Sequence, residues 1–216
     1  MTDQKRARLL IADDHKLIAQ ACANMLEPEF EVVDVVTDGL ALIQAAVERK
    51  PEVVITDVFM PQLNGLDAGE QIKQMKPATK LVFLTMDRSP DIAVEAFRRG
   101  ASGYVLKDCA AEELIAGVRC ALCDQLYLSP IIAKDVIELM LRAGVPSSPE
   151  ERKITGRQKE ILQLLAEGKP MKEIAYILGV QPGTIAFHKY RVMKTLNVDT
   201  NAALIKYANS HYMLAK

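Results

Sequence analysis

Five side chains, far apart in the chain, could serve one reaction. Apolar runs end at Asp13-Asp14, Asp57, Thr85 and Lys107, within "LLIADD", "VVITD", "LVFLT" and "GYVLK". If those runs are parallel strands of one open sheet, the residues at their carboxyl ends share an edge, where such folds gather functional groups. Three carboxylates at close quarters cannot all stay ionised without a cation. Mg2+ meets that need: it is a hard ion that takes oxygen ligands and keeps waters that an incoming phosphate can replace. A carboxylate beside it can attack phosphorus and form an aspartyl phosphate. Lys107 would neutralise charge on the transferring group, and Thr85 would hydrogen-bond a phosphoryl oxygen. Taken singly, each residue is weak evidence. Asp13-Asp14 could cap a helix, and Asp57 could be a turn-former at a strand end. The specific signal is the whole set on one edge.

The elements that must position them alternate through the first ~125 residues. β-rich runs at 8–12, 30–36, 52–56, 80–85 and 102–107 are separated by helical patterns near 16–26, 38–48, 66–75, 90–98 and 111–123. Strands and helices at this spacing predict βα units and a parallel sheet. Runs apolar on both faces fit a sheet covered on both sides. The expectation is an α/β doubly wound domain with a five-stranded parallel sheet over residues 1–125. A connecting segment over 126–152 includes a helix near 129–143, with Ser129 as its N-cap and the Pro/Ser-rich "VPSSPEER" (145–152) as the linker proper. Residues 153–216 carry only helical patterns, at 156–167, 171–178, 182–195 and 200–208.

"LLIADDH", "ITDVFMPQLNG", "LVFLT" and "GASGYVLKD" resemble the receiver domain of two-component response regulators over roughly residues 6–125. The run Asp57-x-x-Met60-Pro61-x-x-x-Gly65 resembles that family's phosphorylation motif. The resemblance implies Asp57 as phosphoacceptor and, with Asp13 and Asp14, as part of the Mg2+ site, with the backbone carbonyl of Phe59 as a further ligand. It also implies a switch in which Thr85 moves toward the phosphoryl group and Tyr104 follows inward. Without the resemblance, Tyr104 reads as a packed surface aromatic. Two departures stand out. Met86 follows Thr85 where the family usually has a small residue, and bulky Phe59 lies two positions past the phosphoacceptor. Both predict slow turnover of the acyl phosphate.

The C-terminal part reads as a helix-turn-helix. Thr155 caps the first helix, Gly168 ends it, Gly179-Val180-Gln181 makes the turn, and Pro182 opens the last of the set. Ile185, Val192 and Leu196 are spaced for one buried face. The segment resembles the LuxR-type helix-turn-helix over roughly 150–212, so the whole chain resembles a NarL/FixJ-type response regulator. The residues expected at DNA are Lys172, Thr184, Ala186, Phe187, Lys189, Tyr190, Arg191 and Lys194, with Phe187 and Tyr190 available to a thymine methyl. Again the sequence departs from the family: Ala186 stands where Lys is frequent, and Thr195-Leu196-Asn197 replaces Lys-Leu-Gly. Fewer cations predict modest, salt-sensitive DNA binding unless the protein dimerises. The resemblance further implies that 199–210 pairs two subunits, and that His188 needs no catalytic role.

Composition agrees with this division. Of 216 residues, 50% are hydrophobic and 25% charged, as in ordinary globular proteins. Residues 1–125 hold 14 Lys+Arg against 20 Asp+Glu, and 126–216 hold 13 against 8. An acidic half joined to a basic half suits two different partners: a sensor histidine kinase for the first, double-stranded DNA for the second. A homodimer is expected when the protein is phosphorylated or on DNA. No apolar run approaches the ~20 residues of a membrane span, so no membrane partner and a cytoplasmic location are expected. The four cysteines show no framework spacing; Cys120-Ala-Leu-Cys123 lies in a helical pattern, and free thiols are expected. Two other functions fit parts of the pattern: a Mg2+-dependent phosphatase and a DNA-binding regulator independent of phosphorylation. Phosphatases of the haloacid-dehalogenase type carry a second acid two residues past the nucleophile, and Phe59, in that place here, cannot donate a proton.

Overall fold

The computed structural model describes residues 6–109, 111–142 and 154–212. The chain divides into two compact units, Met1–Met140 and Leu141–Lys216. Among the described residues no helix is long and apolar enough to cross a membrane.

In the first unit, strands alternate with helices. These are β1 (Arg8–Ala12), α1 (Lys16–Leu26), β2 (Glu31–Val36), α2 (Gly39–Arg49), β3 (Val53–Thr56), α3 (Gly65–Met75), β4 (Lys80–Thr85), α4 (Pro90–Arg98), β5 (Gly103–Leu106), α5 (Ala111–Leu122), β6 (Tyr127–Leu128) and α6 (Pro130–Arg142). All pairings are parallel, in the order β2-β1-β3-β4-β5-β6. Strand β3 is buried at every position, because helices cover both faces. On one face Leu9, Ile11, Val53, Ile55 and Val105 pack with α1 and α5. The alternate residues Leu10, Val54, Leu81 and Phe83 are buried on the other.

The sheet has six strands, not the five expected. Strand β6 lies in the segment read as connecting chain, and its two residues are too few to carry a period. Ser129, read as an N-cap, is fully buried. Its hydroxyl accepts from the Leu106 N–H (3.1 Å) and donates to Glu113 Oε2 (2.9 Å). It therefore ties the start of α6 to β5 and α5. The linker "VPSSPEER" (145–152) lies outside the described residues.

Close approach at the start of α3 requires Gly65. Its N–H donates to the Val58 carbonyl (2.9 Å), and a Cβ there would lie 1.8 Å from the Asp57 carbonyl oxygen. Gly65→Ala must therefore displace the backbone that carries Asp57. We expect a loss of about 1–3 kcal/mol, the usual cost of overpacking, read as a lower urea midpoint of the first unit. An unchanged midpoint would mean that α3 shifts freely.

The second unit contains α7 (Gly156–Ala166), α8 (Met171–Leu178), α9 (Pro182–Leu196) and α10 (Asn201–Tyr212). Thr155 and Gln158 form a reciprocal capping box at α7. Gly179 ends α8 with φ +63°, and Asn197 ends α9 with φ +54°. Asparagine is among the few non-glycine residues that adopt this left-handed position readily, so α9 stops without the glycine of the related pattern. Helix α9 bridges two small cores. Ile185 packs with Ile161, Ile174 and Ala175, while Val192 packs with Ile154, Leu162 and Leu204.

Candidate functional site

Strand register builds the acidic pocket. Ala12 pairs with Thr56, and the Asp57 N–H donates to the Ala12 carbonyl (2.8 Å). Asp13 and Asp57 thus leave the sheet side by side, at the point where strand order reverses and such sheets place their ligands. Thr85 pairs with Leu106, and the Lys107 N–H donates to the Thr85 carbonyl (2.9 Å), which brings Lys107 to the same edge. Asp13, Asp57, Thr85 and the Lys107 side chain are buried; Asp14 is exposed.

Charge is concentrated here. One ligand atom from each of Asp13, Asp14, His15 and Asp57 lies within 4.8 Å of the others. Lys107 Nζ donates to Asp57 Oδ2 (2.6 Å) and lies 2.7 Å from Asp13 Oδ2. The Phe59 N–H donates to Asp57 Oδ1 (3.2 Å). Burial pushes the Asp57 carboxyl above its usual range; Lys107 and the Phe59 N–H pull it back, and Asp13 pushes it up again. Burial pulls the Lys107 ammonium down, but Asp57 and Asp13 together hold it above its ordinary value. One ammonium therefore serves two buried carboxylates.

The donor set suits a hard divalent ion. Three of the four clustered groups are carboxylates, which offer the oxygen that Mg2+ prefers. Asp13 Oδ2 is buried and paired in charge with Lys107, yet it accepts no hydrogen bond of good geometry. A divalent cation would give this oxygen a second partner besides Lys107.

The sequence reading missed His15. Its Nδ1 lies 2.8 Å from Asp14 Oδ1 and 3.4 Å from Asp13 Oδ1. The available signal was its place directly after the paired aspartates.

Thr85 and Tyr104 are linked through one residue. The Asp87 N–H donates to Thr85 Oγ1 (3.1 Å), and Tyr104 OH donates to the Asp87 carbonyl (3.0 Å). Tyr104 is fully buried; it stands inward here, not on the surface. Met86 is half-exposed and lines an apolar cavity of about 310 Å³ shared with Leu17, Cys22 and Lys107. The four cysteines are free thiols.

The fold and this pocket have counterparts. Residues 9–119, just over half of the chain, match the response regulator receiver domain, and residues 152–208 match the bacterial regulatory proteins of the luxR family. The chain is a NarL/FixJ-type response regulator. It is similar to the transcriptional regulatory protein MctR of Rhizobium johnstonii, with 31% identity over 219 residues covering 100% of this chain and 99% of the relative. It is also similar to the oxygen regulatory protein NreC of Staphylococcus carnosus, 33% identical over 208 residues, with 93% and 96% covered. Among solved structures, an RcsB–DNA complex gives a TM-score of 0.62 at 26% identity, covering 96% of this chain and 100% of the other. The chain is thus a transcription regulator built from a receiver and a LuxR-type DNA-binding domain.

In the regulator's second unit, the expected DNA-facing residues separate into two groups. Ala186, Tyr190 and Lys194 are exposed on α9, Lys189 and Arg191 are partly exposed, and Lys172 is exposed on α8. Thr184 and Phe187 are buried, so neither is placed to touch a base edge. The buried face of α9 is wider than the Ile185, Val192 and Leu196 stripe: it also takes in Thr184, Phe187 and His188. The Arg191 guanidinium lies 5.7 Å from the centre of the Phe187 ring.

Proposed function

We propose that a sensor histidine kinase phosphorylates Asp57 with Mg2+, and that this changes dimerisation and the grip on double-stranded DNA. The observation that carries the reading is Lys107 held between the Asp57 and Asp13 carboxylates. Asp57 attacks the phosphorus of a phosphohistidine, the P–N bond breaks, and the imidazole leaves with the electron pair and takes a proton. Asp13, Asp14, Asp57 and the Phe59 carbonyl would hold the Mg2+, which when bound would supply Lewis-acid stabilisation of the transferring group. Lys107 steadies the same charge from the protein side. Thr85 Oγ1 accepts a bond from Asp87 but keeps its own proton, so it can donate to a phosphoryl oxygen. Any shift of Thr85 moves Asp87, and with it the carbonyl that holds Tyr104. Met86 and Phe59 flank this chemistry and slow phosphate turnover.

The chain acts here as a regulator, not an enzyme: position 59 offers no acid to drive turnover. Pairing two subunits through 199–210 turns two weak half-site contacts into one bivalent one. Soluble cytoplasmic placement agrees with both partners.

Full-length protein treated with Mg2+ and beryllofluoride, a phosphoryl mimic, should bind duplex DNA about 5- to 150-fold more tightly, the usual range of coupling between sites. It should also elute larger on gel filtration. Asp57→Asn should do neither. Equal affinities of treated wild type and Asp57→Asn would favour a regulator independent of phosphorylation.

A further inference from the structure

We propose that α9 recognises half-sites in which thymines face Ala186 and Tyr190, reading them through their C5-methyl groups. This rests on the DNA-binding reading above and specifies the kind of sequence read. Pro182, Ala186, Tyr190 and Lys194 recur every fourth residue of α9, and all four are exposed. They form one outward stripe, with Gly183, Lys189 and Met193 half-exposed beside it. Thr184, Ile185, Phe187, His188 and Val192 fill the inward side.

The chemistry of that stripe is unusual for base recognition. Guanine is most often read by the paired donors of an arginine or by a lysine. The one arginine of α9, Arg191, is half-buried against the Phe187 ring instead. Lys194 stands at the C-terminal end of the stripe and Lys189 beside it, where both suit phosphates at the groove edge. Pro182, Gly183 and Ala186 are small, so the helix can approach the groove floor closely. What they and the half-exposed Tyr190 ring offer is apolar contact. Thymine alone among the four bases presents an apolar group in the major groove. Gln181, the exposed N-cap, makes no capping bond with its side chain, and its amide matches adenine, the partner of thymine.

The test uses the full chain with Mg2+ and beryllofluoride. Duplexes bound from a randomised pool are sequenced, and each dT of the enriched half-site is replaced in turn by dU, which removes only the methyl. Wild type should lose about fourfold in affinity for each contacted methyl, the value of one buried methyl group. Ala186→Gly and Tyr190→Ala, checked for folding by circular dichroism, should each bind dT and dU duplexes equally at one of those positions. Wild type that tolerates dU everywhere overturns the inference while leaving DNA binding intact. Variants that keep the full methyl dependence overturn the assignment to Ala186 and Tyr190. Failure to enrich any duplex would remove the DNA-binding reading itself.

Discussion

Lys107→Met should destabilise the first unit by about 3–5 kcal/mol at neutral pH, the usual cost of removing one partner of a buried ion pair. Lys107 is the only cation whose nitrogen lies within 3 Å of both Asp13 and Asp57 among the described residues. Without it two buried carboxylates face each other unneutralised. The pH dependence has a definite sign. Burial already raises Asp57, and removing Lys107 raises it further. A carboxyl whose pKa rises on folding holds its proton more tightly in the native state. Its penalty is absent below the ordinary carboxylate value of about 4 and grows as pH climbs through the folded value. The variant's deficit is therefore largest at neutral pH and shrinks toward pH 4. Mg2+ should restore part of it, because an ion that binds only the native state stabilises it. Phosphoryl uptake should fall about 10²–10³-fold, as when one transition-state donor is removed. Urea unfolding at pH 7 and pH 4.5, with and without MgCl2, reads the stability effect. A deficit under about 1 kcal/mol, or one equal at both pH values, would rule out this account of the pocket.

His188→Phe should abolish most of the acid sensitivity of the second unit. His188 is 1% exposed, and neither ring nitrogen has a hydrogen-bond partner among the described residues. Burial, helped by Arg191 and Arg157, pushes its pKa down to about 4. The unfolded chain takes up that proton near pH 6.5, so between about 6.5 and 4 it binds more protons than the native state. Stability from this residue is complete above pH 6.5 and is lost as pH falls toward 4. The loss amounts to about 3 kcal/mol at the acid end. Phenylalanine keeps a ring beside Phe187, whose edge-on contact with His188 has centroids 5.6 Å apart. It also removes two unsatisfied polar atoms, so neutral-pH stability should hold or rise. Thermal melts at pH 7, 6 and 5 decide the matter: parallel decline of variant and wild type would clear His188.

Much of this was legible in the chain because local chemistry and fold agree. Strands that are apolar throughout announce a sheet covered on both faces. A charge at the end of such a strand announces an edge that is used. That rule points to Asp13, Asp57, Thr85 and Lys107, and strand register brings the four to one edge. The caps of the second unit were equally local: Thr155, Pro182 and Gly179 act within four residues of their own positions. What escaped were features without a period. Strand β6 has two residues and exists only because β5 offers it an edge. Ser129 stands directly before α6, where the sequence puts a cap, but its hydroxyl is drawn to Leu106 and Glu113, 23 and 16 residues away. Thr184 and Phe187 fall on the exposed side if α9 is assumed to bury one narrow stripe. Both are buried in the folded unit, on the same side of α9 as Ile185, His188 and Val192.

The sequence alone determined the order of elements, the kind of residue at each strand end and the division into an acidic and a basic half. These follow from hydrophobic period, turn chemistry and charge, all of which act between near neighbours in the chain. Only the tertiary structure decided that one ammonium would serve two carboxylates, that His15 would join them, and which side of α9 would meet solvent. Those outcomes depend on strand register and on what packs behind each helix, and neither is set by residues close in sequence.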